Sequence, residues 1–360
     1  MKNSNIKQMI VSGSGKNRKI NCCFCNEKLN RSILPHIKKE HALIWEDWKK
    51  IMLEQYNEGY NPKQIMKREF NTLFTWSVIE KEIQKMIENN IMKGKKIKLH
   101  VKNKITHWEP KTDELTEELD KTTTWKFKKR GDWATHTGNY RGNWPPQIPR
   151  YFIKKYTKKG DWVFDGFLGG GTTVIEARLL GRNAIGYDIN PYAIKLTKKQ
   201  LEIIEKESKK QNHILPSCEI KVKVHDVKDL EKNLDESIDL ICTHPPYFNS
   251  LKYTQSIEKD LSRIPDVNIF LDEMTIVAKG FYKILRTNKI CAILIGDIRI
   301  KKNMYPLAFN VMNRFLDEGF VLKDTIIKEQ YNDRSTAFYV NSDIRRINHE
   351  YLFIFEKLLR

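Results

Sequence analysis

The segment that most constrains this chain runs from residue 161 to residue 180 and has the pattern of a strand, a tight turn and a helix. Asp161-Trp-Val-Phe-Asp165 is a short apolar strand, Asp165-Gly-Phe-Leu-Gly-Gly-Gly-Thr-Thr173 is a glycine turn, and residues 174–180 have helical apolar spacing. Glycine permits positive φ and close approach of a ligand, and the first turn of a helix has unpaired amides. The segment therefore predicts an α/β sheet with a ligand site at the carboxyl end of this strand.

The next predicted strand, residues 183–188, ends in an acid about twenty residues beyond the turn. At that spacing the carboxylate of Asp188 can accept hydrogen bonds from ribose hydroxyls. The turn and the acid together indicate a ligand that contains adenosine. An ordinary strand-to-helix turn followed by a surface aspartate is the alternative.

A second motif, Thr243-His-Pro-Pro-Tyr247, follows the apolar strand of residues 237–243. Its two prolines fix the backbone and remove two N–H donors, so that carbonyls remain free to accept. The Pro245 carbonyl and a neutral His244 side chain can accept N–H bonds from the amino group of a nucleobase, and Tyr247 can stack on a base that has been flipped out of a duplex. The motif predicts a site for such a base, and a chance loop is the alternative.

From about residue 138 to its C-terminus the chain resembles the S-adenosylmethionine-dependent amino-group DNA methyltransferases, which modify cytosine N4 or adenine N6. The family's glycine motif is Asp-Pro-Phe-x-Gly-x-Gly-Thr-Thr, and the matching residues here are Asp165, Phe167, Gly169, Gly171, Thr172 and Thr173. Gly166 replaces the family's proline. His244 replaces the serine, aspartate or asparagine that opens the family's catalytic tetrapeptide, which leaves the target base open.

The resemblance implies roles for residues of both motifs. It places S-adenosylmethionine against the glycine motif, with Asp188 on the ribose and Asp226 near the adenine. Residues 137–150 resemble the family's methionine-binding motif, which adds Tyr140 and Asn143 to the cofactor site. The implied catalytic residues are His244, Pro245, Pro246 and Tyr247.

The resemblance also implies the fold, an α/β architecture with the Rossmann-like, mostly parallel, seven-stranded sheet of class I methyltransferases. Apolar patterns predict further helices over residues 267–285 and 307–315, and further strands over residues 290–297, 320–328 and 349–355. The predicted domains are a zinc-finger-like module (1–45), a helical segment (46–92), a basic linker with one or two short strands (93–135) and the methyltransferase domain (136–360).

The N-terminal module carries a metal-ligand pattern. Cys22 and Cys25 are separated by two residues, and His36 and His41 follow with the spacing of a two-Cys, two-His zinc finger. A segment this small needs a metal to fold, so we expect a structural Zn²⁺, with scattered reduced thiols and imidazoles as the alternative. The helical patterns of residues 42–56 and 76–88 fit a helix-turn-helix-like module or plain helical packing.

Charge favours a nucleic-acid partner. The chain has a net charge of +19, and residues 1–130 contain 28 lysines and arginines against 16 acids. Such an excess neutralises phosphates, although a high lysine content also fits an AT-rich genome. Sequence recognition is assigned to residues 248–265, to the N-terminal third, or to the predicted hairpin around the loop of residues 331–348, with Lys328, Arg334, Arg345 and Arg346. A solvated hairpin without a DNA contact is the alternative for that last segment.

The predicted function is site-specific methylation of double-stranded DNA, with cytosine N4 slightly favoured over adenine N6 because a threonine precedes the tetrapeptide. A cognate restriction endonuclease is the expected partner. The alternatives are an RNA methyltransferase acting on guanine N2 or adenine N6, and a non-catalytic zinc-finger DNA-binding regulator. Without an 18-residue apolar run or a signal-peptide core, the chain is expected in the cytoplasm, at the nucleoid and not in a membrane.

Overall fold

The computed structural model divides the chain into two compact units, Met1–Lys98 and Leu99–Arg360. The structure describes residues 11–12, 19–21, 25, 28–29, 33–58, 60, 62–70, 76–92, 99, 101–111, 119–230, 234–250, 253–254, 257–330 and 344–359.

The first unit is a small antiparallel sheet followed by helices. The sheet has the order β1 (Val11–Ser12), β2 (Lys19–Asn21), β3 (Lys28–Leu29). The helices are α1 (Ile33–Glu40), α2 (Ala42–Glu58), α3 (Pro62–Glu69) and α4 (Trp76–Met92). The short helix α3 replaces the turn expected between the two longer helical patterns, because proline is well suited to the first turn of a helix.

The core of this unit is built from large apolar side chains at helical spacing. Ile37, Trp48, Met52, Ile65, Phe70 and Ile79 are among the buried residues. Trp48 packs edge-on against Phe70 with 5.8 Å between ring centroids. The aromatic contacts between α2 and the residue after α3 hold the helices together as one small core.

The second unit is an eight-stranded, mostly parallel sheet with the order β4-β12-β13-β9-β8-β5-β6-β7. Its strands are β4 (Thr124–Lys126), β5 (Trp162–Asp165), β6 (Asn183–Asp188), β7 (Ile220–Val224), β8 (Ile238–Thr243), β9 (Leu285–Ile295), β12 (Val321–Glu329) and β13 (His349–Lys357). Of the described strands in this sheet, only β13 runs antiparallel to both of its neighbours. The predicted α/β sheet is confirmed, with β4 added as an eighth strand parallel to β12.

Helices cover both faces of this sheet, as a parallel sheet requires. They are α5 (Gln147–Tyr156), α6 (Thr172–Leu180), α7 (Pro191–Lys210), α8 (Val267–Ile284) and α9 (Leu307–Asp317). Successive strand residues alternate between the two faces. Phe164 packs with residues of α8 and α9, and Val163 packs with residues of α5 and α6. A hairpin of β10 (Ile298–Ile300) and β11 (Asn303–Tyr305) follows β9.

The second unit includes described residues from 99 onward that the sequence assigned to a linker. Ile105, Trp125, Phe127 and Trp133 are buried there, and Trp125 donates from Nε1 to the Leu119 carbonyl. Trp125 and Phe127 pack with residues of α5, and the second compact unit begins at Leu99, within the segment that the sequence assigned to a linker. Among the described residues, no helix combines the length and apolar character needed to cross a membrane.

Candidate active site

A cavity lies at the carboxyl ends of β5, β6 and β8. Open α/β sheets place ligands at this edge. The residues that line it include Tyr140, Gly142, Asn143, Trp144, Asp165, Phe167, Gly169, Asp188, Asn190, Asp226, His244, Pro246, Tyr253, Thr254, Lys259 and Asp260. The structure thus brings together nine of the thirteen predicted cofactor-site and catalytic residues.

The glycine turn connects β5 to α6 and forms one wall of the cavity. The Gly169 amide donates to Asp188 Oδ2 at 2.7 Å, and the Gly170 amide donates to Asn143 Oδ1 at 3.0 Å. Gly171 is the residue before α6 and has φ +82°, a conformation that disfavours a side chain. The side chains of Asp188, at the end of β6, and Asn143 therefore lie against the backbone amides of the turn.

Gly166 stands where the resembling family has proline, and the structure gives a reason. A Cβ at this position would lie 2.5 Å from Val227 Cγ2 and 3.1 Å from Phe281 Cζ. Because those side chains belong to the packed core, a ring at position 166 does not fit here.

Asp165 and Asp188 are carboxylates in apolar surroundings. Asp165 Oδ1 accepts from the Thr243 hydroxyl at 2.5 Å and from the Phe167 amide at 3.1 Å. Burial raises the pKa of Asp165 to about 6 and that of Asp188 to about 7, although hydrogen bonds oppose both shifts. A ligand that brings positive charge or hydroxyl donors to these acids would favour their ionised forms.

The segment that carries Tyr140 and Asn143 is anchored by one buried carboxylate on α6. Glu176 accepts from Trp133 Nε1 at 2.7 Å, His136 Nε2 at 2.6 Å and Arg150 Nη1 at 3.0 Å. Burial alone would raise the pKa of Glu176, but the His136 hydrogen bond and the Arg150 charge hold it below its ordinary value. This network fixes the upstream segment against the helix that follows the glycine turn.

The Thr-His-Pro-Pro-Tyr motif follows β8, and its first residues point toward the glycine turn. The Thr243 hydroxyl also accepts from the Phe167 amide at 3.2 Å. The His244 ring lines the cavity and stacks on Trp144 with centroids 5.7 Å apart, and its Nε2 lies 2.7 Å from the Tyr247 hydroxyl. Burial lowers the pKa of His244 to about 4, so the ring is neutral near pH 7.

Four predicted site residues do not line the cavity. Gly171 and Thr172 form the start of α6, Pro245 is buried, and Tyr247 is half-buried with its ring against Gly296. The Tyr247 hydroxyl donates to Glu350 Oε1 at 2.7 Å. Their geometry gives these residues supporting positions around the cavity.

Sequence reasoning missed several residues of the site. It singled out residues 248–265 as a whole, but not Asp260, whose carboxylate accepts from the backbone and hydroxyl of both Thr254 and Ser262 and holds the loop against the cavity. An acid two residues before a serine is a recognisable turn signal. It also missed Glu350, which lies 103 positions from Tyr247 and has no local signature.

The prediction that Lys328 contacts DNA is wrong. Its Nζ lies 2.6 Å from Glu350 Oε2, and both side chains are buried between β12 and β13. Because this ammonium has an internal partner, it does not form part of an exposed basic surface. Arg334 lies outside the described residues.

The first unit brings three of the four predicted metal ligands together. The ligand atoms of Cys25, His36 and His41 all lie within 4.8 Å of one another, and Cys25 Sγ is 3.2 Å from His36 Nε2. Thiolate and imidazole are the donors that zinc prefers. Cys22 lies outside the described residues.

The sheet, the glycine turn and the acid at the end of β6 define an α/β protein with a cavity at the carboxyl edge of its sheet. The N6_N4_Mtase family, described as DNA methylase, matches residues 7–199 and 238–358. This chain belongs to that DNA methylase family. An RMKL-like methyltransferase domain also matches residues 156–265.

Individual relatives match parts of the chain. The Type II methyltransferase M.BglI of Bacillus subtilis is 32% identical over 127 residues, 34% of this chain and 35% of that protein. M2.DpnII of Streptococcus pneumoniae, also a Type II methyltransferase, is 33% identical over 93 residues, 25% of this chain and 35% of that protein. The tRNA (guanine(10)-N2)-dimethyltransferase of Methanocaldococcus jannaschii is 37% identical over 127 residues, 34% of each chain.

These matches span about a third of the length of the curated relatives. Among solved structures, an S-adenosylmethionine-dependent methyltransferase from Methanosarcina mazei aligns with a TM-score of 0.41 at 16% identity. The alignment covers 58% of this chain and 98% of that chain.

Proposed function

We propose that this protein transfers a methyl group from S-adenosylmethionine to the exocyclic amine of a base in double-stranded DNA. The observation that carries the proposal is that one cavity is lined both by the acids beside the glycine turn and by His244 and Pro246 of the tetrapeptide. Cofactor and base can therefore meet in a single site. Membership of the DNA methylase family supports the same reaction.

The residues of the cavity suit this cofactor. Asp165 can interact with a ligand ammonium, and Asp188 can accept hydrogen bonds from ribose hydroxyls. Asp226 also lines the cavity, and we assign it to the adenine. Tyr140 and Asn143 complete the site beside the turn, with Phe167, Gly169, Gly171 and Thr172 shaping it. The bound cofactor supplies a methyl group activated by a sulfonium.

On the base side, the chain's own groups can make the amine a better nucleophile. The nitrogen lone pair is delocalised into the ring, and acceptors for its N–H bonds favour a pyramidal nitrogen. The Pro245 carbonyl and His244 are the proposed acceptors. As the nitrogen electron pair forms the new N–C bond, the C–S pair would go to sulfur, and the methylated nitrogen, then positively charged, would release one proton to water. Thr243 before the tetrapeptide favours cytosine N4 slightly over adenine N6.

The hairpin β10–β11 is the proposed contact with the DNA backbone near the site. It follows β9 at the carboxyl edge of the sheet, and its two-residue turn consists of Lys301 and Lys302, with φ +48° and +74°. Positive φ at two consecutive lysines is strained and is often found at functional sites. Both side chains are exposed, and neither forms an ion pair with any described carboxylate. The turn therefore presents two charges that suit phosphates.

A double variant, Lys301→Gln with Lys302→Gln, tests this contact. DNA affinity is measured by fluorescence anisotropy at several salt concentrations. The slope of log K against log salt should decrease in magnitude by about 2, because each phosphate contact contributes roughly 0.9. Lys158→Gln with Lys159→Gln is the matched control, since these exposed lysines precede β5 at the opposite edge of the sheet. Equal slopes for both double variants would contradict the assignment.

We further propose that Cys25, His36 and His41 bind a structural Zn²⁺ with Cys22 as the fourth ligand. The three described ligand atoms already lie at distances that a single ion spans. Metal binding would supply folding free energy to this small unit. In this reading the first unit supports DNA binding, and a cognate restriction endonuclease is the proposed partner of the modification activity.

The direct test uses purified protein, labelled S-adenosylmethionine, and either unmethylated plasmid DNA or total tRNA. Label in DNA, recovered as N4-methylcytosine or N6-methyladenine, supports the proposal. Label in tRNA alone would favour the RNA alternative, which the 37% identity to a tRNA methyltransferase keeps in view. Binding of DNA without binding of S-adenosylmethionine would favour a non-catalytic regulator.

A further inference from the structure

Four side chains form an unbroken hydrogen-bonded row that ends at the cavity. Lys328 Nζ lies 2.6 Å from Glu350 Oε2, the Tyr247 hydroxyl lies 2.7 Å from Glu350 Oε1, and His244 Nε2 lies 2.7 Å from that hydroxyl. Lys328 and Glu350 are also register partners on β12 and β13. The last two strands of the sheet are thereby connected to the first residue of the tetrapeptide.

The charges along this row are fixed by their surroundings. Burial alone would raise the pKa of Glu350, but Lys328 and the other groups around it hold that pKa below its ordinary value, so the carboxylate is an anion. Burial lowers the pKa of His244 to about 4, with Lys328 and Arg130 adding to the shift and Glu350 opposing it. A neutral imidazole has one N–H and one lone pair, and its tautomer decides which nitrogen can accept.

Counting protons along the row selects one tautomer. An anionic Glu350 can only accept, so the Tyr247 O–H donates to it, and the tyrosine oxygen then accepts from His244 Nε2–H. The ring also faces the Gly142 carbonyl, which competes for its proton. If Nδ1 carried the proton, Tyr247 would donate to Nε2, and two oxygen acceptors 2.7 Å apart would have no proton between them. The row therefore favours protonation at Nε2.

We propose that Glu350, with Lys328, is a positioning residue that sets the His244 tautomer through the Tyr247 hydroxyl, leaving the Nδ1 lone pair to accept an N–H of the target amine. The inference rests on the proposed function for its substrate. It explains how histidine can occupy a position that in the resembling family holds serine, aspartate or asparagine. The acceptor is supplied by a ring whose proton is held on the far side.

Nitrogen-15 NMR of histidine-labelled protein tests the tautomer without any turnover. The wild-type spectrum should show His244 protonated at Nε2, assigned by its absence in His244→Asn. Tyr247→Phe keeps the ring and removes the hydroxyl, so His244 should shift toward the Nδ1-protonated form that donates to Gly142. A wild-type His244 protonated at Nδ1 would overturn the inference.

Kinetics then tests the consequence. The double variant Lys328→Met with Glu350→Leu removes both charges together and leaves the Tyr247 hydroxyl with no acceptor at position 350. Its kcat should fall roughly 100-fold, the lower end of what a positioned acid or base contributes, with the Kd of S-adenosylmethionine unchanged. Lys323→Met with Glu356→Leu is the matched control, because this pair also joins β12 to β13, at 2.8 Å and partly exposed.

The outcomes separate the two proposals. A tautomer shift in Tyr247→Phe with a lower kcat in the Lys328/Glu350 double variant, and near wild-type kcat in the control pair, supports the row. Equal kcat values in the two double variants would overturn it. If wild-type protein transfers no methyl group, the proposed function fails, while the NMR result still decides whether the row sets the tautomer.

Discussion

Binding of S-adenosylmethionine should weaken steeply as pH falls from 7.5 to 5.5. The free protein has an Asp188 pKa of about 7 and an Asp165 pKa of about 6, both raised by burial. In the proposed complex, the ligand's hydroxyls and ammonium interact with the ionised carboxylates, so binding favours the loss of protons. Because a group whose ionised form binds must first lose its proton, affinity increases with pH.

The expected size follows from these two values. If both acids must be ionised, apparent affinity should fall about 100-fold between pH 7.5 and pH 5.5, or about 2.7 kcal/mol. Adenosine, which lacks the ammonium and reaches only Asp188, should lose about 25-fold over the same range. The difference between the two ligands is the contribution of Asp165.

Isothermal titration calorimetry at several pH values measures both quantities. Repeating the titration at pH 7 in buffers of different ionisation enthalpy should show release of about 0.6 proton on binding of S-adenosylmethionine. Asp188→Asn should bind more weakly and lose the titration step near pH 7, while keeping the step near pH 6. A pH-independent Kd for the wild-type protein, or proton uptake on binding, would refute the reasoning.

Three further predictions concern stability. Glu176→Gln should lower the free energy of unfolding by roughly 3 kcal/mol in urea titrations, because it removes the buried charge partner of Arg150, whereas Glu205→Gln in a partly exposed pair should cost less than about 1 kcal/mol; equal losses would contradict this. Gly171→Ala should unfold at lower urea than Gly160→Ala: both have positive φ, but only the former meets neighbouring atoms, at 2.6 Å. Cys25→Ser should reduce both the zinc content of the full-length protein, measured by mass spectrometry, and its helical circular dichroism. Unchanged zinc content would exclude Cys25 as a ligand.

Local sequence predicted the part of the site that consecutive residues build. The glycine turn, Asp188 and the Thr-His-Pro-Pro-Tyr motif each end a strand, and parallel strands bring their carboxyl ends to one edge. The α/β class and the mostly parallel sheet were predicted from the same alternation of apolar strands and helices and from the family resemblance. From the sequence, His244 could accept an N–H bond only if its ring were neutral, and burial lowers its pKa to about 4.

Long-range pairing was beyond such reasoning. Strand β4 pairs with β12, about 200 residues later in the chain. Trp125 is buried, and no periodic pattern in the nearby sequence predicts this burial. Lys328 was assigned to a polar surface region and Glu350 to a strand without a role, because the alternation of a strand does not show which polar residues face each other in the interior. Their hydrogen bonds to the tetrapeptide appear only when β12 and β13 are placed in the sheet.

The most direct test of the central claim is mass spectrometry of nucleosides from plasmid DNA. The plasmid is isolated from a methylation-deficient host that expresses either the wild-type protein or Tyr247→Ala. The account predicts N4-methylcytosine or N6-methyladenine in the wild-type sample and its loss in the variant. Neither modified base in DNA from cells that contain the folded wild-type protein would contradict the account.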